Sequence, residues 1–151
     1  MRDVVIADTS CLVLLEKIHQ LELLKSCYDQ IFITPAIELE FGEFVPPWIK
    51  VRSPSNESFQ KILMRTIGRG ESSALALAME IPKAVLILDD LKARKMAKSL
   101  DLNFTGTLGV IVAAKMKGVI PSVSSILNQL QETDFRVSPS VVEKVKELAG
   151  E

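Results

Sequence analysis

The amino-acid sequence predicts a three-layer α/β/α fold with a mostly parallel central sheet. Short apolar runs recur along the chain, each bounded by polar or turn residues, and such runs are typical of strands buried on both faces. Helical patterns separate these runs, and strands that alternate with helices form βαβ units with helices on both faces of the sheet. Because the chain has 151 residues and no repeat or long linker, we expect a single domain over residues 1–151.

The first half of the chain contains three predicted strands. The first strand leads into a helix, for which Thr9 or Ser10 is the expected cap. A short helix after the second strand begins at Pro35 and ends at Gly42, the asymmetry that helices favour. The predicted elements are strands at residues 4–7, 30–34 and 49–52, the last a small edge strand, and helices at 9–18, 21–27 and 35–42.

The second half continues the alternation. The helix after the fourth strand carries apolar side chains at i, i+3, i+4 and i+7, which predicts one core-facing side. Ser140 and Glu143 have capping-box spacing, so the last helix is expected to start near residues 138–140. The other predicted elements are strands at 85–88 and 103–105 and helices at 58–67, 71–79, 92–99, 107–116 and 122–130.

Composition narrows the possible functions. The net charge of −1 provides no overall field for nucleic acid, which argues against a tight, static nucleic-acid binder but not against a nucleic-acid enzyme. No apolar stretch reaches the length of a membrane span, and Asp3 and Asp8 interrupt the N-terminal segment, so we expect a cytoplasmic protein with no membrane partner. Cys11 and Cys27 have apolar neighbours and are expected to be buried hydrophobes, with a disulfide or structural zinc as the alternative.

Carboxylates directly follow two predicted strands. Asp8 follows the first strand, and Asp89 and Asp90 follow the strand at 85–88. Open α/β sheets bind ligands at the carboxyl ends of their strands, and crowded carboxylates there favour a bound cation. We expect Asp8 to be a ligand, since Thr9 and Ser10 are available as helix caps. One aspartate of the pair is expected to cap the next helix while the other faces the site; Asp90 is favoured for the site and Asp89 is the second choice.

Two glutamates extend this predicted site. Glu40 borders the apolar face of the helix at 35–42, whereas Glu38 lies on the solvated side. Glu71 opens a helix, and a favourable interaction with the helix dipole is the alternative explanation for it. The small residues at 74–78 would let this helix lie close to the strand ends. Without a metal ion, such crowding should raise the pKa of at least one of these carboxyl groups.

The remaining side chains limit the chemistry. The chain has one histidine, His19, which excludes a histidine-based nucleophile triad or a histidine-rich metal site. It also contains no glycine-rich phosphate-binding loop. Carboxylate and hydroxyl ligands select hard cations, so the sequence predicts a site for Mg²⁺ or Mn²⁺.

Five ordered motifs resemble the PIN-domain family, and most of all its compact prokaryotic branch, which includes VapC-type toxins. They are VIADTS at 5–10, ITPAIELE at 33–40, GRGESSALALA at 68–78, LILDD at 86–90 and TGTLG at 105–109. The resemblance extends from the first strand to about residue 130. It implies a PIN-like fold and an Mg²⁺- or Mn²⁺-dependent ribonuclease, with Asp8, Glu40 and Asp90 in the family's acidic positions. Glu71 stands where many relatives carry an aspartate.

The resemblance also suggests roles and partners. We expect an endoribonuclease that cleaves single-stranded RNA with a metal-activated water, and that acts as the toxin of a toxin–antitoxin pair. An antitoxin protein and a second copy of the chain, in a homodimer, are the expected protein partners. The metal ligands would come from Asp8, Glu40, Glu71, Asp89 and Asp90. The substrate-binding candidates are Thr9 and Thr107, which would orient a carboxylate or water, and Arg69, Lys92 and Arg94, which would contact RNA phosphates.

Two other functions are compatible with an acidic pocket on a parallel sheet. One is a catalytically weak PIN-like module that acts through a protein partner. The other is a phosphoacceptor receiver domain. In a receiver the acidic pair comes early in the chain, whereas here the lone Asp8 comes first and the pair at 89–90 comes late, which disfavours that reading.

Overall fold

The computed structural model describes residues 3–151, in which five parallel strands form one sheet with helices on both faces. The predicted three-layer α/β/α fold is therefore confirmed. The strands are β1 (Val4–Ala7), β2 (Gln30–Ile33), β3 (Ile49–Val51), β4 (Val85–Ile87) and β5 (Asn103–Thr105), and their order across the sheet is β3-β2-β1-β4-β5.

The helices alternate with these strands and continue beyond the last one. Those before β4 are α1 (Thr9–Lys17), α2 (Glu22–Cys27), α3 (Pro35–Phe41), α4 (Glu57–Leu63) and α5 (Arg69–Ala78). Those after β4 are α6 (Leu91–Ser99), α7 (Thr107–Met116), α8 (Val123–Gln131) and α9 (Pro139–Leu148).

The two central strands determine where the site forms. β1 and β4 pair in parallel with Ala7 opposite Ile87, and the Asp8 amide extends this ladder by donating to the Ile87 carbonyl at 3.2 Å. Because both strands run the same way, the residues that follow them emerge at the same edge of the sheet. Asp8 and the Asp89–Asp90 pair therefore start from neighbouring positions.

Helix α5 packs close to the sheet because its buried face is made of small residues and leucines. Leu75 and Leu77 are fully buried, and the residues at 72–74 have almost no exposed surface. Burying a leucine side chain contributes roughly 1.5–3 kcal/mol to the free energy of unfolding. A helix held this way brings its first turn, which includes Glu71, up to the strand ends.

Some local expectations differ from the structure. The N-cap position of α1 is Asp8 rather than Thr9 or Ser10, although the Asp8 side chain makes no capping hydrogen bond. The last helix is capped by Ser138, whose hydroxyl accepts from the Val141 amide at 3.3 Å, so the capping box at 140–143 is wrong. Helix α4 ends at Leu63, earlier than predicted.

The cysteine prediction is confirmed, because Cys11 and Cys27 are both buried and both have free thiols. Within residues 3–151, the helices are all too short or too polar to cross a lipid bilayer.

Candidate functional site

Asp8 is the most unusual polar residue in the core. Only 4 % of its surface is exposed, and its Oδ1 atom is buried without a hydrogen-bond partner among residues 3–151. Burial raises the pKa of the Asp8 carboxyl from 3.8 to about 7; the nearby Thr9 amide opposes this rise, and the charges of Glu71, Glu40 and Asp89 add to it. An orphaned buried carboxylate destabilises a protein unless a proton or a cation binds it.

Glu40 approaches this position from α3. Its Oε1 atom accepts a hydrogen bond of 2.6 Å from the hydroxyl of Thr9, which immediately follows Asp8. The Glu40 carboxylate also rests against Gly70 of α5, where a Cβ atom would lie 2.9 Å from Glu40 Cδ. The absence of a side chain at Gly70 thus provides the space that the Glu40 carboxylate occupies.

Glu71 lies one residue further along α5. Its Oε2 atom accepts a hydrogen bond of 3.4 Å from the Gly68 amide at the start of the helix, half of a capping-box arrangement. Partial burial raises the pKa of the Glu71 carboxyl above its usual value, and the charges of Asp90 and Glu40 add to this effect. The first turn of α5 therefore supplies one carboxylate and the cleft for another. The expected rise in a carboxyl pKa occurs at Asp8 and Glu71, but burial is its largest cause and the crowding of carboxylates contributes less.

The two aspartates after β4 have different roles. Asp90 caps α6, since its Oδ2 atom accepts from the Ala93 amide at 2.9 Å. Asp89 accepts from the Thr107 amide at 2.9 Å and the Thr107 hydroxyl at 2.6 Å, and from the Ser10 hydroxyl at 3.4 Å. The pair thus divides into a cap, Asp90, and a second carboxylate, Asp89. Which of the two would bind an ion stays a prediction.

One cavity of about 620 Å³ connects these groups. Both aspartates of the pair line it. The polar residues in its wall are Asp8, Thr9, Ser10, Lys17, Glu71, Asp89, Asp90 and Asp134. Glu40 joins this set through its hydrogen bond to Thr9. We call Asp8, Glu40, Glu71, Asp89 and Asp90 the acidic cluster.

The acidic cluster has the donor chemistry that a hard divalent cation requires. Among residues 3–151, no three acidic, cysteine or histidine side chains already lie close enough together to enclose an ion. The groups in the cavity wall that could bind a metal ion are nonetheless carboxylate and hydroxyl oxygens, which suit Mg²⁺ or Mn²⁺. The unpartnered Oδ1 atom of Asp8 is the group that a cation would satisfy best.

Comparison with known families identifies the fold. The profile of a family described as a PIN domain matches residues 4–151. The chain belongs to the PIN-domain family. PIN domains are generally nucleases that act on nucleic acids, and they typically use divalent metal ions. Neither the curated proteins nor the solved structures contain a significant match to this PIN domain.

The three basic residues predicted for the rim do not line the cavity that contains Asp8, and their contact with RNA stays a prediction for this PIN domain. Arg69 lines a separate small cavity beside Pro35, and Arg94 donates from Nε to the Leu88 carbonyl at 2.9 Å while stacking on the Phe104 ring. Residues two apart on a helix point about 160° away from each other, so Arg69 cannot share the face of Glu71. Lys92, on the exposed surface of α6, does not line the acidic cavity either.

Among the residues that the structure describes, Lys17 is the basic residue that lines this cavity of the PIN domain. Sequence reasoning missed it, together with Ser10, Gly70 and Phe135. Lys17 lies two turns after Thr9 on one helix, and this spacing could have indicated that the two side chains share a face. Phe135 gave no such signal, since it lies in the loop between α8 and α9, more than a hundred residues from Asp8.

The hydroxyls of Thr9 and Thr107 orient carboxylates as expected. Each donates a hydrogen bond of 2.6 Å, Thr9 to Glu40 and Thr107 to Asp89. These short bonds restrict the rotamers of two carboxylates that border the cavity of the PIN domain. Preorganised groups cost less to bring together when a ligand binds.

Proposed function

We propose that this PIN domain is a metal-dependent endoribonuclease that cleaves single-stranded RNA. The observation that carries the proposal is the buried carboxylate of Asp8, which has an unpartnered oxygen and a raised pKa in the wall of a cavity lined by further carboxylates. Maintaining such a group destabilises the fold, and perturbed carboxyl groups in a cleft are typical of functional sites. Its position at the carboxyl ends of β1 and β4 also fits ligand binding in open parallel sheets.

The residues of the acidic cluster would share the work of holding the ion. Asp8 would be the central ligand, and Glu40, Glu71, Asp89 and Asp90 would contribute from the surrounding helix and strand ends. When bound, Mg²⁺ or Mn²⁺ supplies the Lewis acidity that activates water and offsets charge on the phosphate.

The protein groups then orient the reaction. Thr9 and Thr107 fix the carboxylates of Glu40 and Asp89, and a carboxylate of the cluster accepts the proton from the attacking water. Water adds its oxygen to phosphorus and the P–O3′ bond breaks. The 3′ oxygen leaves as a hydroxyl after taking up a proton, and the other product carries a 5′-phosphate.

Metal-dependent cleavage is the test of this function. The wild-type protein with Mn²⁺ should cut a single-stranded RNA to products with 5′-phosphates, and EDTA should stop the reaction. Asp8→Asn should abolish cutting, because it removes the charge and keeps the shape. Glu38→Gln is the matched control, since Glu38 is an exposed carboxylate on α3 outside the cavity. Cutting that persists in EDTA would rule out the proposed mechanism.

We further propose that this RNA cleavage is the activity of a toxin in the cell. Expression of the wild-type chain should then arrest growth, and Asp8→Asn should relieve the arrest. Co-expression of a small protein encoded next to this gene should also restore growth if it is an antitoxin. In this proposal the protein is cytoplasmic and forms a homodimer, which sedimentation of the purified protein would test.

One observation favours a second candidate, a PIN-like binding module with weak catalysis. Asp89 and Asp90 are engaged in hydrogen bonds to α7, α1 and α6, which gives these two carboxylates a structural role without an ion. This candidate predicts that Asp8→Asn leaves the cellular phenotype unchanged and that RNA stays intact with Mn²⁺.

A further inference from the structure

The cavity extends beyond the acidic cluster along one side of α1. Val13, Leu14 and Phe135 form this apolar part of its wall, and Lys17 lies at the end of it. Because a helix rises about 1.5 Å per residue, Lys17 lies about 12 Å along α1 from Thr9. The acidic cluster and Lys17 are therefore at the two ends of one apolar wall.

Local hydrogen bonds order the loop that carries the aromatic ring of this wall. The Thr133 hydroxyl donates to the Leu130 carbonyl at 2.5 Å and accepts from the Phe135 amide at 3.1 Å. The Phe135 side chain is half-buried and packs against the core while it also borders the cavity. A ring fixed in this way loses little conformational freedom when a ligand binds against it.

The cation at the end of the wall is available for a ligand. Lys17 Nζ lies 4.0 Å from Asp134 Oδ2, and the two side chains are 47 % and 100 % exposed. An ion pair this exposed is weak, so an anionic group can replace Asp134 at little cost. The cavity thus presents a hydrophobic aromatic surface between a predicted metal site and the weakly paired positive charge of Lys17.

Building on the proposed ribonuclease function, we infer that this wall is a nucleobase subsite. Phe135 stacks on the base of a nucleotide beside the scissile phosphate, with Val13 and Leu14 beneath it, while Lys17 binds a phosphate further along the strand. Aromatic stacking together with a positive charge along the backbone is the usual way in which proteins hold single strands. The cavity volume of about 620 Å³ lies within the range of pockets for small ligands. Only an unpaired base can enter, so this subsite would select single-stranded RNA.

Steady-state cleavage of a short, fluorescein-labelled oligoadenylate with Mn²⁺ tests the subsite. Losing one stacked base weakens binding by about 5- to 150-fold, so Phe135→Leu should raise KM within that range and leave kcat close to wild type. Phe135→Trp should restore KM, because it retains an aromatic face. Phe44→Leu is the matched control, since Phe44 is 80 % exposed and lies outside the cavity.

A second measurement uses the wild-type protein alone, which avoids any effect of substitution on folding. A single abasic nucleotide is placed at successive positions of the oligoadenylate. Binding, measured by fluorescence anisotropy, should weaken at one position by the same factor that Phe135→Leu causes, and Phe135→Leu should bind this abasic strand as wild type does.

The outcomes separate the subsite from the ribonuclease function. Metal-dependent cleavage with an unchanged KM for Phe135→Leu overturns the subsite and leaves the function intact. Binding that depends on Phe135 without any cleavage supports the subsite and overturns the function. A strand that is neither bound nor cut overturns both the subsite and the ribonuclease function. The apolar wall would then be a candidate contact for another ligand, such as a side chain of a protein partner.

Discussion

Replacing Asp8 with asparagine should stabilise the metal-free protein at neutral pH and remove part of the pH dependence of folding. In the folded state the pKa of Asp8 is about 7, whereas its usual value is 3.8. A raised pKa favours the folded state below pH 4, and this contribution is lost as the pH rises through 7. The difference of about three pH units corresponds to about 4 kcal/mol of unfolding free energy.

Asparagine keeps the shape of Asp8 but carries no charge at any of these pH values. Part of the gain at high pH is offset, because a buried amide without partners costs about 1–3 kcal/mol. The absolute stability of Asp8→Asn at one pH is therefore less informative than its change with pH. The free energy of unfolding of Asp8→Asn relative to wild type should increase by about 4 kcal/mol between pH 4 and pH 8.

Urea denaturation followed by circular dichroism, in EDTA, measures this difference. Wild type, Asp8→Asn and the control Glu38→Gln are compared at several pH values from 4 to 8. Glu38 is exposed, so its replacement should leave the pH dependence of wild type unchanged. A constant difference between wild type and Asp8→Asn across this range would refute the claim that Asp8 is a destabilised, buried carboxylate.

Three further predictions concern the acidic cluster. Added Mn²⁺ should raise the melting temperature of wild type in a concentration-dependent way and should leave Asp8→Asn unchanged; differential scanning fluorimetry measures both, and no shift in wild type would contradict metal binding. Gly70→Ala should displace the Glu40 carboxylate, which lies at the end of its side chain, and so lower the cleavage rate; an unchanged rate would remove Glu40 from the site. Urea denaturation should show little loss of stability, because alanine favours the helix. Thr107→Val should cost about 1–2 kcal/mol of unfolding free energy in urea, because the fully buried hydroxyl donates to Asp89. A cost near zero would show that this bond does not hold Asp89.

The fold and the location of the site could be predicted because both follow from local patterns. The apolar runs of β1 and β4 alternate with helical segments, and this pattern indicates buried parallel strands. The parallel topology places Asp8 and the pair at 89–90 at one edge of the sheet. The hydrogen-bond partners of the polar side chains within the site were harder to predict. Whether Asp89 or Asp90 caps α6 depends on the rotamers that the Ala93 amide and the Thr107 hydroxyl select.

The basic and aromatic residues of the cavity could not be predicted for a different reason. Arg69 is close to Glu71 in sequence, but the turn of the helix places it in another cavity. Lys17 and Phe135 come from α1 and from the loop between α8 and α9, and only tertiary packing brings them together. Sequence proximity is a poor guide where side chains from distant segments meet.

Anomalous diffraction from crystals grown with Mn²⁺ would locate a bound ion without assuming any activity. We expect a manganese peak in the acidic cavity, with Asp8 Oδ1 among its ligands at about 2.0–2.6 Å and at least one carboxylate from Glu40, Glu71, Asp89 or Asp90 beside it. The same peak should be absent from crystals of Asp8→Asn. A cavity without manganese in wild-type crystals, or an ion bound only at a distant surface, would contradict the claim that these carboxylates form a metal centre.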